Sequence, residues 1–282
     1  MENVLEIRKL NKRYKGFSLS DVDITLPSGS IMGFIGENGA GKTTTIKLIL
    51  NLLHRDSGEI KIFGKDNIRN EKEIKEEIGV VFDECNFPDT MKISEISRVM
   101  GHIYSKWDDN TFGRYADKFS LPANKEIKEF SRGMKMKLSI AAAMSHGARL
   151  LILDEATSGL DPVVRDEILD IFLEFIQDER NAVFVSTHIL SDIEKVADYI
   201  TFIHKGRIKF SQPKDELLEN YGILKCSYSE FDAVDKSAVK GYRKNDFGVE
   251  ALVLRDQIRG YKTIDHATLE DIMLFTVRGD QQ

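Results

Sequence analysis

Apolar residues recur through residues 4–10 and again through 18–26 in the manner of short strands, and Pro27-Ser28-Gly29 ends the second run. Residues 31–35 form a short apolar run, a glycine-rich loop follows, and residues 42–53 take up helical spacing. Strand, glycine loop and helix in that order are the context a phosphate-binding loop requires. From about residue 84 to 147 the pattern is mainly helical and poor in strand signals, and residues 150–153 then form a second apolar strand. A helical insert within an α/β core accounts for this order. Asp161-Pro162 marks a helix start, because Asp accepts from free backbone N–H groups and Pro suits the first helical position. Val163, Val164, Ile168, Ile171, Phe172 and Phe175 make one apolar face on that helix. Residues 182–185 read as a buried strand, and residues 200–203 and 207–210 flank Lys205-Gly206 as a hairpin.

No repeat or low-complexity segment interrupts this order. Beyond about residue 220 the pattern shifts to short strand-like pieces, including residues 251–254, with a final helix starting at Thr268 and Asp271 as its capping-box partner. The expected organisation is one α/β domain over residues 1–219, with its helical subdomain at about 84–147, and a small α+β appendage over 220–282.

An apolar fraction of 41% is enough for a packed core and argues against disorder. The net charge of −6 argues against a general nucleic-acid binder, although a site can be locally positive in an acidic protein. Cys85 and Cys226 lack metal-ligand spacing and read as reduced thiols of a cytosolic protein. The N-terminus shows no secretory pattern, and the longest apolar stretches fall far short of the roughly 18 residues of a membrane span. Work at a membrane therefore requires a partner.

Chemistry concentrates in two places. Gly36-Glu37-Asn38-Gly39-Ala40-Gly41-Lys42-Thr43 fits the phosphate-loop pattern. Its glycines let successive N–H groups turn toward phosphate oxygens, and the next helix adds its positive end. Lys42 is placed to reach the β- and γ-phosphates and Thr43 to ligate Mg²⁺. Gly36, Asn38, Gly39, Ala40, Gly41, Lys42, Thr43 and Thr44 are the candidate ATP-binding positions. The second place is Asp154-Glu155, at the C-terminal end of the strand at 150–153. Ligands bind at that end in open α/β sheets. Asp154 suits Mg²⁺, through water, and Glu155 suits the polarisation of an attacking water as base or positioner.

Further features in the same order resemble the ABC ATPase family over roughly residues 1–215. Ser131-Arg132-Gly133-Met134 resembles its signature, usually Ser-Gly-Gly-Gln. Ser158-Gly159-Leu160-Asp161 resembles its D-loop, His188 its switch histidine, and Tyr14 its adenine-stacking aromatic. The resemblance implies a P-loop ATPase core of the ABC type with an N-terminal antiparallel β-subdomain. It implies an ATPase with catalytic Glu155, His188 and Lys42, ATP contacts at Tyr14, Ser131 and Gly133, and metal positions Thr43, Asp154 and Asp83. It also implies a head-to-tail dimer with a second ATPase subunit, each signature closing over the other's ATP. A transmembrane permease would hold the chain at the inner face of the membrane and carry the cargo, with export of a peptide, drug or lipid as the expected direction. An alternative is a soluble regulatory or immunity ATPase of the same family. The remaining histidines, His54, His102, His146, His204 and His266, read as structural.

The chain departs from the family at several points. Asp83 stands where a glutamine is usual, which adds negative charge and removes the amide donors. Arg132 replaces a glycine and Met134 a glutamine in the signature, and Ala156 replaces a proline.

Overall fold

The computed structural model describes residues 2–258 and 264–279. The chain forms two compact units, residues 1–208 and 209–282. The division expected after residue 219 falls within the helix Lys214–Asn220 of the second unit.

The first unit begins with β1 (Asn3–Tyr14), β2 (Phe17–Pro27), β3 (Ser30–Ile35), α1 (Lys42–Ile49), β4 (Ser57–Ile62), β5 (Lys65–Asp66), α2 (Glu71–Lys75) and β6 (Ile78–Val81). A helical insert follows: α3 (Ile93–Ile103), α4 (Asp109–Lys118) and α5 (Arg132–Met144). The core then resumes with β7 (Leu150–Asp154), α6 (Pro162–Phe175), β8 (Ala182–Thr187), α7 (Leu190–Val196), β9 (Tyr199–His204) and β10 (Arg207–Pro213), the last crossing into the second unit. Strands β2-β1-β4-β5 make an antiparallel sheet. The second sheet has the order β10-β9-β3-β8-β7-β6, in which β9, β3, β8, β7 and β6 run parallel.

Every residue of β3, β7 and β8 is buried. A parallel sheet covered on both faces has no solvated side, so its strands read as unbroken apolar runs. Phe34 of β3 and Phe184 of β8 meet with ring centroids 5.2 Å apart, joining the centre of the sheet. The parallel register pairs Ile35 with Thr187 and Asp154 with Ser186, so the polar ends of β7 and β8 finish at one edge, beside the loop that leaves β3.

Several local details differ from the sequence expectation. Helix α1 ends at Ile49 instead of continuing to residue 53, because Asn51 takes a left-handed backbone (φ 55°) that stops helical hydrogen bonding. Strand β1 runs on to Tyr14, with register shifts around Leu10 that bend it. Helix α6 starts as expected, with Asp161 Oδ1 accepting from Val163 N at 3.2 Å and Val164 N at 3.1 Å. Ile168, Ile171, Phe172 and Phe175 are buried, whereas Val163 is 69% exposed. Val164, in the same turn, is half-buried and lies against Gly133.

The second unit contains α8 (Lys214–Asn220), β11 (Tyr221–Cys226), α9 (Tyr228–Asp232), β12 (Val239–Asn245), β13 (Gly248–Leu254), β14 (Ile264–His266) and α10 (Leu269–Gly279). Its antiparallel sheet has the order β12-β13-β11-β14 and its own core of Leu224, Phe231, Val234, Val249, Ala251 and Val253. The expected capping box is formed: Thr268 N donates to Asp271 Oδ2 and Asp271 N to Thr268 Oγ1, both at 3.1 Å. Among the described residues no helix is long and apolar enough to cross a membrane.

Asp161→Ala removes the side-chain acceptor that caps the start of α6. A lost cap of this type costs about 1 kcal/mol, to be read as a lower urea midpoint at unchanged slope in the nucleotide-free chain.

Candidate functional site

The loop between β3 and α1 owes its course to glycine. Gly41, the residue before α1, has φ 116° and leaves the helix without a side-chain cap, so its first N–H groups remain open to an anion. A Cβ at Gly41 would lie 2.5 Å from Leu19 Cδ2, and one at Gly36 would lie 2.4 Å from the carbonyl oxygen of Ile203. Only residues without side chains allow this loop to sit so closely on β2 and β9. The β9–β10 hairpin braces it from behind: Gly206 N donates to Ala40 O at 2.9 Å. His204 Nδ1 also lies 3.5 Å from Glu37 Oε2.

Lys42 is 6% exposed, and its ammonium cannot remain unpaired there at neutral pH. It donates to Gly36 O at 2.7 Å and approaches Glu37 O at 3.4 Å and Glu155 Oε1 at 3.4 Å. The other oxygen of Glu155, Oε2, lies 2.7 Å from His188 Nδ1. Lys42, Glu155 and His188, widely separated in the chain, thus form one continuous polar set. Glu155 reaches it from a left-handed backbone (φ 54°) pinned by Glu155 N donating to Ser186 O at 2.9 Å. A non-glycine residue in that region costs energy and is found where a side chain must be aimed.

Asp154, one residue earlier, is 6% exposed, and its Oδ1 has no hydrogen-bond partner; nor has the buried Ser186 Oγ across the register. Burial pushes the Asp154 carboxyl above its ordinary value; the nearby Thr43 and Ser186 hydroxyls oppose this, while the charges of Glu155 and Asp83 add to it. Asp83, exposed just after β6, is therefore near enough for its charge to be felt at Asp154. Among the described residues no three His, Cys, Asp or Glu side chains cluster as a metal cage. One orphaned carboxylate oxygen beside a threonine hydroxyl instead fits Mg²⁺, which keeps several waters and takes further oxygens from phosphates.

Tyr14 ends β1, 44% exposed, with Lys12 Nζ 5.5 Å above its ring. It lines a cavity of about 580 Å³ together with Arg13, Phe17, Ser18, Gly39 and Lys205. The cavity joins an aromatic face to the phosphate loop, the arrangement a base and its phosphates need. Thr43 is exposed beside Lys42, Thr44 is half-buried, and Asn38 and Gly39 are exposed at the loop tip. Ser131 and Gly133 stand elsewhere, at the start of α5. There Ser131 Oγ accepts from Met134 N at 3.2 Å as a helix cap, and Gly133 faces Val164. Among the described residues no hydrogen bond or ion pair joins them to the phosphate loop.

Ser186, Lys205 and the His204–Gly206 brace escaped the sequence reading. A serine inside an apolar strand and a lysine in a hairpin carry no chemical pattern. Only the strand register and the hairpin fold bring them to the site.

The family model described as "ABC transporter" matches residues 19–158. The bacitracin transport ATP-binding protein BcrA of Bacillus licheniformis is 34% identical over 240 residues, covering 84% of this chain and 77% of the relative. The lantibiotic transport ATP-binding protein SrtF of Streptococcus pyogenes is 33% identical over 215 residues, covering 75% of this chain and 92% of the relative. A solved ATP-binding subunit of an ABC transporter superposes with a TM-score of 0.69 at 28% identity, covering 76% of this chain and 91% of that one.

Because the Asp154 carboxyl is raised in the folded chain, its ionised form costs stability at neutral pH, and that cost vanishes as pH falls through the raised value toward the ordinary 3.8. In magnesium-free buffer at pH 7, Asp154→Asn is expected to melt above wild type, with the gap narrowing on acidification. A melting temperature below wild type at pH 7 contradicts this account of the site.

The phosphate-loop α/β core, with its antiparallel sheet, its helical insert and these relatives, places the chain in the ABC transporter family, as an ATP-binding and ATP-hydrolysing subunit.

Proposed function

We propose that the chain powers export through a separate transmembrane permease, closing head to tail with a second ATPase subunit each time ATP binds. The observation that carries this reading is the connected set Lys42–Glu155–His188 beside the orphaned oxygen of Asp154. Each group suits one part of phosphoryl transfer to water. Lys42, buried and already near both the loop carbonyls and Glu155, turns its ammonium to the β- and γ-phosphate oxygens. Glu155 accepts a proton from the water whose oxygen attacks the γ-phosphorus; the bond to the ADP oxygen breaks, and phosphate and ADP leave. His188, hydrogen-bonded to Glu155, holds that carboxylate in line and offers its ring to the γ-phosphate. Asp154 and Thr43, with Asp83 nearby, are the residues to hold Mg²⁺, which when bound neutralises phosphate charge. Tyr14 stacks on adenine in the cavity it shares with Lys205 and Gly39, while Gly36, Asn38, Ala40, Gly41 and Thr44 complete the phosphate cradle.

The start of α5 supports the dimer. Its Ser131–Gly133 turn opens a helix and, among the described residues, makes no hydrogen bond or ion pair to the phosphate loop of its own chain, which favours a partner's ATP as the ligand it serves. ATP favours the closed pair because its γ-phosphate touches both chains there, and hydrolysis removes that bridge. The transport named for BcrA and SrtF favours a peptide cargo. It also favours a cytoplasmic site of action, at the inner face of the membrane beside the permease.

Glu155→Gln should retain ATP binding, lose turnover by about a hundredfold or more and accumulate as an ATP-dependent dimer on size exclusion. Turnover equal to wild type removes Glu155 from its role. Lys42→Ala should weaken nucleotide affinity in a direct titration, and an unchanged affinity refutes the phosphate contact.

A further inference from the structure

The hairpin between β9 and β10 turns on two residues, Lys205 and Gly206. Both take a left-handed backbone, with φ 46° at Lys205 and φ 75° at Gly206. Two positive φ values are what a type I′ hairpin turn demands, and Asn, Asp or Gly fills its first position at least cost. Lysine has a Cβ and no side-chain group that bonds back to its own turn, so it is a poor residue for that position. A residue that breaks a local rule without a local gain is expected where a side chain has a task outside the turn.

The turn is also fixed in space. Gly206 N donates to Ala40 O and Ser20 N donates to Gly206 O, each at 2.9 Å. A Cβ at Gly206 would lie 1.8 Å from Ser18 O, so the turn sits directly on β2. Lys205 is thereby pinned between the phosphate loop and β2, on the wall of the cavity of about 580 Å³ that Tyr14 and Gly39 also line. Among the described residues no carboxylate belongs to that wall. Its other cation, Arg13, lies beside Asp56, which accepts from Arg13 N at 2.7 Å and from Lys12 Nζ at 3.0 Å. Lys205 makes no ion pair among the described residues. The wall therefore joins an aromatic ring and a glycine of the phosphate loop to an ammonium whose charge is uncompensated.

We propose that Lys205 binds the α-phosphate of the nucleotide. The inference rests on the reading above that this cavity and its loop hold ATP. With the base on Tyr14 and the outer phosphates in the loop beyond Gly39, ribose and the α-phosphate lie between them. The α-phosphate is the anionic group of that stretch, and an ammonium is its complement. ATP and ADP share it, so Lys205 serves both equally.

The test is calorimetric titration of the full-length chain with ATP and with ADP in the presence of Mg²⁺, at low salt and at about 0.15 M salt. Lys205→Asn removes the charge and supplies a residue the turn prefers. Without nucleotide it should melt at or above the wild-type temperature, yet bind ATP and ADP about fivefold more weakly, by the same factor for each. The loss should shrink at the higher salt, and Lys205→Arg should stay within about twofold of wild type. With 2′,3′-dideoxy-ATP the loss should equal that for ATP. A loss confined to ATP, a loss that disappears with the dideoxy nucleotide, or unchanged affinity for both nucleotides overturns the α-phosphate contact. So does a Lys205→Asn chain that melts below wild type, since a damaged turn then accounts for weaker binding. A wild-type chain that binds no ATP, or binds it no better than Lys42→Ala, sinks the nucleotide-site reading and this contact with it. Wild-type binding that Lys42→Ala weakens and Lys205→Asn leaves unchanged sinks the contact alone.

Discussion

The buried ammonium of Lys42 is the constraint around which the first unit is organised. A charge at 6% exposure is tolerable only with partners, and its partners come from two places: the carbonyls of its own loop and the carboxylate of Glu155 at the far end of β7. Those contacts fix the loop against the sheet before any ligand arrives. They are also contacts that phosphate oxygens are able to replace. The glycines at 36 and 41 serve this arrangement, since any side chain there would push the loop away from Ile203 or Leu19.

The parallel register decides which polar groups share the site. Pairing β7 with β8 sets Asp154 opposite Ser186, and Glu155 N reaches Ser186 O from the next position. Two buried oxygens, Asp154 Oδ1 and Ser186 Oγ, are left unsatisfied. Buried polar atoms are normally paired, and exceptions cost stability. Here the cost lies at the ends of the two strands that point at the phosphate loop, where a hydrated cation and phosphate oxygens can complete the missing bonds. Polar atoms held without partners at the mouth of a strand are a pattern expected of functional sites.

The helical insert brings a different kind of end to the surface. Ser131 caps α5 with its own hydroxyl, Gly133 lies against Val164, and Arg132 rests on Gly159. The start of α5 and the start of α6 are therefore one packed corner instead of two separate loops. The segment at Asp83 lines a cavity with that corner.

Much of this was legible in the residues. The phosphate loop, the acidic pair, the Asp161-Pro162 helix start and the Thr268–Asp271 capping box are local: each is specified by neighbours within a few positions, through backbone geometry and short-range hydrogen bonds. The buried parallel strands were legible too, because a strand covered on both faces must be apolar throughout. Folding alone decided the rest. The bracing of the loop by Gly206 and the joining of Lys42, Glu155 and His188 depend on which strands lie side by side. The sequence by itself determined the chemical groups and the short segments that carry them. Tertiary structure decided which distant groups meet and which charges remain uncancelled, because register and packing bring together residues between which no local pattern runs.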